Sequence, residues 1–196
     1  MKNLICGTLA ILLATLIAAA MPTEAEARIY EDTIRLHILA ASDSAEDQEL
    51  KLTLRDKLLK KYSSVLSSAQ DTEDAAARIQ ASLSEIEADC NSWVEDAGYN
   101  YTVRATLTHE WYSTRVYEEF TLPEGCYTSL KIEIGEATGK NWWCVMFPPL
   151  CLDVATEHPT ASDTNASYTK EETALITAGK YNIKFKLLEL FSKCFF

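Results

Sequence analysis

Asn141-Trp142-Trp143-Cys144-Val145-Met146-Phe147-Pro148-Pro149-Leu150-Cys151 is the most apolar segment of the chain after its N-terminus. It carries two of the four tryptophans, two of the six cysteines and an adjacent proline pair. Trp142 to Phe147 is aromatic and β-branched, with almost no polar group, so it reads as a strand buried on both faces. Two prolines in a row cannot supply ladder donors, so the strand has to stop at Pro148. A bond between Cys144 and Cys151 requires their Cα atoms to come within about 7 Å, so the chain would double back at the prolines. That pair is the first choice among the cysteines, and closing so short a loop stabilises by about 2–3 kcal/mol in the chain-entropy view.

Working outward, the 196 residues suit one domain of ordinary size, and 47% hydrophobic content is enough for a core. A net charge of −11 offers no basic field for phosphates, which argues against a nucleic-acid partner. Lys2 precedes an uncharged apolar run from Leu4 to Met21, and Ala25-Glu26-Ala27 has the small-x-small form of a signal-peptidase site. The expectation is a signal segment over 1–27, cleaved after Ala27 or kept as an anchor, and one extracytoplasmic domain over 28–196. Disulfides persist in such a compartment. Cleavage leaves Cys90, Cys126, Cys144, Cys151 and Cys194, an odd number, so at least one thiol has no intrachain partner. Cys90 and Cys194 sit on apolar helix faces and read as core residues.

Ile34, Leu36 and Ile38 alternate with Arg35 and His37, a strand with one buried face. Ser44 caps a helix running to about Tyr62, with Asp47 expected to reciprocate and Leu50, Leu54, Leu58 and Leu59 facing inward. Asp47, Lys51 and Arg55 read as a solvated charge row. A polar link over 63–70 leads to a second helix, capped by Asp71 or Thr72. Its inner face is Ile79, Leu83, Ile86, Cys90 and Trp93 or Val94, and Gly98 stops it. From Tyr99 the period becomes two, with Tyr101, Val103, Ala105 and Leu107 alternating with Thr102, Arg104, Thr106 and Thr108. Further strands are expected over Arg115–Leu122 and Tyr127–Ile134, with a turn at Pro123-Glu124-Gly125. The class is therefore α+β: a mixed or antiparallel sheet with a helical hairpin on one face. Residues 153–170 read as a surface loop. Ile183, Leu187, Leu190, Phe191 and Cys194 fit a C-terminal helix on the sheet or a basic amphipathic helix against anionic lipid or an acidic partner, and the alternation at 181–187 also fits a strand.

No G-x-S-x-G, H-E-x-x-H, P-loop or dinucleotide fingerprint is present. Cys144, Cys151 and His158 are evenly spaced, but they lack a fourth ligand and the spacing of a structural zinc site, so no metal or other cofactor is expected. The apolar neighbours of Cys144 would raise its pKa and disfavour a thiolate nucleophile. Glu118-Glu119 and Glu171-Glu172 read as solvated charges. Arg35 and His37 share the polar face of the first strand near Asp43, which suits either binding or holding the strand to its turn. The residues describe an exported, single-domain protein without a visible catalytic constellation.

Ile34-Arg-Leu-His-Ile-Leu-Ala-Ala-Ser-Asp-Ser, with Asp47-Gln48, Leu50-Lys51 and Arg55-Asp56, resembles the N-terminal signature of the stage II sporulation protein R family. The 141–151 stretch resembles that family's second signature. Leu122-Pro-Glu-Gly-Cys-Tyr and Tyr181-Asn-Ile-Lys-Phe-Lys-Leu-Leu-Glu are similar too, so the resemblance covers about 34–189. Ala41 departs from it, standing where the family usually has asparagine. The resemblance implies a signalling protein of endospore formation and not an enzyme. It implies export across the forespore membrane into the intermembrane space. The partner implied there is a membrane-embedded aspartic peptidase of the mother cell, which processes the sigma-E precursor. The contact surface expected on this chain comprises exposed parts of 35–47 and of the 142–151 hairpin: Arg35, His37, Asp43, Asp47, Trp142 and Trp143. Alanine at Arg35, His37 and Asp43 is then expected to abolish activation with little change in thermal midpoint. The competing readings are a cell-envelope hydrolase and a structural protein of the spore envelope.

Overall fold

The computed structural model describes residues 2–20, 23–117, 120–148 and 168–177. The fold is α+β. Helices α1 (Lys2–Ala20) and α2 (Glu24–Glu31) precede strand β1 (Ile34–Leu39). A helical hairpin follows, α3 (Ala45–Ser67) and α4 (Thr72–Asp96). Then come β2 (Val103–Tyr112), two short strands β3 (Arg115–Val116) and β4 (Thr121–Leu122), β5 (Gly125–Ile134), β6 (Asn141–Phe147) and helix α5 (Lys170–Thr177). The main sheet is mixed, in the order β2-β5-β1-β6. β1 runs parallel to β5, and the other pairs are antiparallel.

The helical hairpin covers one sheet face. Leu36 is paired with Leu130 and Cys144, and Ile38 with Ile132 and Trp142, so these side chains share that face. α3 lies against β1 and α4 along β2. Leu50, Leu54, Leu58 and Leu59 are buried as expected, each contributing about 1.5–3 kcal/mol. Cys90 is buried on α4, and burial pushes its thiol pKa up to about 12, which makes it a core residue without thiolate chemistry. Asn91 exchanges hydrogen bonds of 2.8 and 2.9 Å with the backbone of Val103, and Glu87 accepts from Ala105 N–H at 2.9 Å. Two α4 side chains thus occupy part of the free edge of β2.

Several expectations need correction. The apolar 142–147 segment forms a strand that is buried on both faces only over 144–146, and it lies at the edge of the sheet. Its tryptophans are half-buried because arginines cover them from opposite faces: Arg55 Cζ lies 4.9 Å from the Trp142 centroid, and Arg115 Cζ lies 3.7 Å from that of Trp143. β1, expected to be half-exposed, is buried on both faces as well; Ile34, Arg35, Leu36 and Ile38 are all fully buried. α3 continues to Ser67, leaving only 68–71 outside helices as the link to α4. Arg115–Leu122 is two two-residue strands closed by Tyr117 N–H to Phe120 O, not one strand, and β2 starts at Val103 rather than Tyr99. Ser44 caps α3 as expected, but the Asp47 carboxylate turns to the Ser42 hydroxyl instead of reciprocating.

Asp47 and Lys51 are no solvated row either, being 5% and 4% exposed. Lys51 Nζ donates to Gln48 Oε1 at 2.6 Å and to Lys140 O at 2.9 Å, across to the loop before β6. Burial lowers its pKa, which Asp43 partly offsets. Helix α5 was not anticipated. It opens with a capping box, Thr169 N–H to Glu172 Oε2 at 2.9 Å and Glu172 N–H to Thr169 Oγ1 at 3.4 Å. Glu172 is fully buried, not solvated, because Arg28 Nε donates to it at 2.8 Å from α2. Glu118-Glu119, the 153–167 loop and the 181–194 segment lie outside the described residues.

α2 runs across the Ala27–Arg28 bond. Thr23 and Glu26 form its capping box, and Glu26 and Ile29 are buried. A chain beginning at Arg28 loses that cap and the first turn. It is therefore expected to be about 1–2 kcal/mol less stable than one beginning at Thr23, a drop of several degrees in a thermal melt of the two. Among the described residues no helix is long and apolar enough to cross a membrane.

Candidate functional site

The sheet face opposite the helical hairpin is polar at its centre. Strand alternation sends Arg35 and His37 to this face. Register sets them beside Val145 and Trp143 of β6 on one side and Ser129 and Lys131 of β5 on the other. A connected row results. Ser129 Oγ and Tyr112 Oη lie 2.6 Å apart, and Tyr112 Oη donates to Glu110 Oε2 at 3.1 Å. His37 Nδ1 lies 2.8 Å from the same carboxylate oxygen, and its Nε2 lies 3.0 Å from Asn141 Oδ1. Lys131 Nζ reaches Glu110 at 3.5 Å and Glu133 at 3.1 Å. The His37 ring stacks on Trp143, centroids 5.6 Å apart.

The row is preorganised. Burial pushes the Glu110 pKa up, but the His37 hydrogen bond and charge, with Tyr112 and Lys131, outweigh it and leave the carboxyl below its ordinary 4.5. Burial would lower Lys131, and the two glutamates raise it instead. A carboxyl depressed in the native state stabilises the fold fully above its unfolded pKa, and the gain is lost as pH falls through the native value. Acid unfolding below about pH 4.5 should therefore be steeper for the wild type than for Glu110→Gln, read from denaturation midpoints across pH 3–6. Both ring nitrogens of His37 are engaged, and the Ser129 hydroxyl is buried against Tyr112. This geometry suits shape and charge recognition.

His37 and Trp143 come together on this face. Asp43 is exposed at the sheet's end and accepts from Lys140 N–H at 2.7 Å, one residue before Asn141. The other candidates do not join them. Arg35 is fully buried and offers no surface for contact, so its replacement by alanine should lower the thermal midpoint, unlike the expectation from sequence. Asp47 is buried because Ser42 and Tyr101 hold its carboxylate, which raises the Tyr101 pKa. It borders a pocket of about 550 Å³ with Ser42, Tyr101, Glu136 and Thr138. Trp142 faces α3. Cys144 is disulfide-bonded and buried, while Cys90 and Cys126 are free thiols. Cys151, and with it the expected Cys144–Cys151 pairing, lies outside the described residues.

Glu110, Tyr112, Lys131 and Asn141 were missed by sequence reasoning. Alternation through β2 does place Glu110 and Tyr112 on one face. That they meet His37 depends on the β2-β5-β1 order, which no local pattern specifies.

A model of the stage II sporulation protein R family matches residues 30–157 of the chain. The stage II sporulation protein R of Bacillus subtilis (strain 168) is 36% identical over 124 residues, which cover 63% of this chain. The matched part spans 55% of that relative's length. No solved structure matches the chain.

Proposed function

Because the chain belongs to the stage II sporulation protein R family, we propose that its role in sporulation is that of an exported signal recognised by a membrane-embedded peptidase. On this reading it crosses the forespore membrane into the intermembrane space. There it switches on the aspartic peptidase of the mother cell that processes the sigma-E precursor. The observation that carries the reading is the pairing of β1 with β6. That pairing brings the 34–44 and 141–147 segments into one surface, where His37, Asn141, Trp143 and Asp43 stand on a satisfied hydrogen-bonded frame. A ligand needs such a fixed, partly exposed patch with an aromatic anchor more than it needs a nucleophile. The C-terminal segment, rich in lysine, is a candidate contact with the membrane surface beside the peptidase.

The test is reconstitution of the exported chain with the peptidase and its substrate in vesicles. Wild type should switch processing on. The Asp43→Asn, Trp143→Leu double variant should lose at least tenfold of that activation, about 1.4 kcal/mol of recognition, while its melting midpoint stays within a few degrees. Full activation by the double variant would remove this face from the contact. Processing of the precursor by the chain without the peptidase would move the protein to the hydrolase class.

A further inference from the structure

The Arg35 side chain is the largest fully buried side chain of the described fold, and it is charged. Its guanidinium is enclosed by tyrosines. Cζ lies 4.2 Å from the Tyr112 ring centroid and 5.2 Å from that of Tyr127, and Nη2 donates to Tyr117 Oη at 2.7 Å. Nε and Nη1 have no hydrogen-bond partner, and Arg35 forms no ion pair among the described residues. The cage cannot satisfy them with its own hydroxyls. Tyr127 donates to Pro123 O at 2.6 Å, and Tyr112 is bonded to Ser129 and Glu110. The Glu110 carboxylate, which Tyr112 contacts, is engaged by His37 and Lys131.

A cation stacked on two rings gains some stability, but orphaned N–H groups in a dry site cost more than such stacking returns. We infer that the Arg35 cage is a socket for a single carboxylate group brought from outside the described fold, goes beyond the recognition face, and does not depend on the proposed role in peptidase activation. One carboxylate brings one negative charge and oxygen acceptors for the orphaned N–H groups, so the socket becomes neutral and satisfied. A phosphate dianion would leave a net buried negative charge in a protein that already carries −11.

The way in is the β3–β4 hairpin. It covers Arg35 with Tyr117, which stacks on Phe120, and it is held to itself by a ladder of only two residue pairs. Lifting it also uncovers Phe120 and Leu122, which are buried in the core, so entry carries a cost that occupancy of the socket has to offset. When it lifts, the Arg115 guanidinium leaves the face of Trp143, which makes that tryptophan a reporter of entry.

The test titrates the full chain with sodium acetate, against sodium chloride at equal ionic strength and against acetamide, the uncharged isostere. Acetate should change tryptophan fluorescence saturably. At ten times its half-saturating concentration it should raise the melting midpoint by about 3–5 °C. Chloride and acetamide should do neither. Arg35→Met, which keeps the volume and removes the charge, should abolish both responses. Should that variant not fold, Tyr117→Phe keeps the cation and frees the hairpin, and it should lower the half-saturating acetate concentration several-fold. Equal responses to acetate and chloride in the wild type would overturn the inference. So would an undiminished acetate response in Arg35→Met, or an unchanged half-saturation in Tyr117→Phe. The titration contains no peptidase, so its outcome and that of the reconstitution stand apart.

Discussion

Gly139→Ala is expected to be among the most damaging single substitutions, costing about 3 kcal/mol and lowering the melting midpoint by roughly 6–12 °C. An added Cβ would sit 2.1 Å from Ser42 O and 2.5 Å from its carbonyl carbon. Both are backbone atoms, so no rotamer change relieves the clash. The corner that would have to part is densely bonded. Gly139 N–H donates to Ala40 O at 3.0 Å, Thr138 N–H and Oγ1 donate to Ala41 O at 3.3 and 2.9 Å, and Lys140 N–H donates to Asp43 at 2.7 Å. The same corner sets the start of β6 and therefore Asn141 beside His37. The substitution should accordingly weaken recognition as well as stability. Gly98→Ala is the control. It meets no atom within 4 Å, but its φ of +84° lies in the left-handed region. It should cost only about 1 kcal/mol. Thermal melts of the two variants side by side decide the matter, and equal losses would show that the close approach at Gly139 is relieved elsewhere.

Cys144→Ala should lower stability by about 2–3 kcal/mol, the entropy of the loop that its disulfide closes. The residue is 2% exposed on the face that packs under α3, paired with Leu36. If the partner is Cys151, then Cys151→Ala should cost the same, and the double variant no more than either single one. Cys194→Ala should then leave the denaturation midpoint where it is. Reduction of the wild type should reproduce the Cys144→Ala midpoint and leave that variant unmoved. A neutral Cys151→Ala together with a destabilising Cys194→Ala would assign the bridge to the C-terminus. Chemical denaturation with and without reductant separates these outcomes.

Local pattern made much of the fold legible. Leucines at 50, 54 and 58 recur at helical spacing, Ser44 and Asp71 are caps, and Val103 to Leu107 alternate; each survives in the structure because the signal and the cause are both local. Two capping boxes, Thr23-x-x-Glu26 and Thr169-x-x-Glu172, were equally legible and went unread, the first because residues 23–27 look like the tail of a signal segment. Their helices lean on each other through Arg28 and Glu172. That contact spans a sequence separation of 144 residues, which no local window contains.

The errors share a cause. Arg35 alternates with apolar neighbours and therefore reads as exposed, yet tyrosines from β2, β5 and the hairpin close over it. Trp142 to Phe147 is apolar throughout and reads as buried on both faces; that holds over 144–146, but the strand lies at the sheet edge and its tryptophans are covered by two arginines. Composition made the chain acidic, and local residue order determined its α+β class and the signature segments that place it in its family, because side-chain periodicity and residue chemistry are properties of neighbours along the chain. Only the tertiary structure decided which strand lies at the centre, that Glu110 meets His37, and that a guanidinium is sealed among tyrosines. Strand order and burial are set by partners far away in sequence, and a residue's polarity does not tell which of them will arrive.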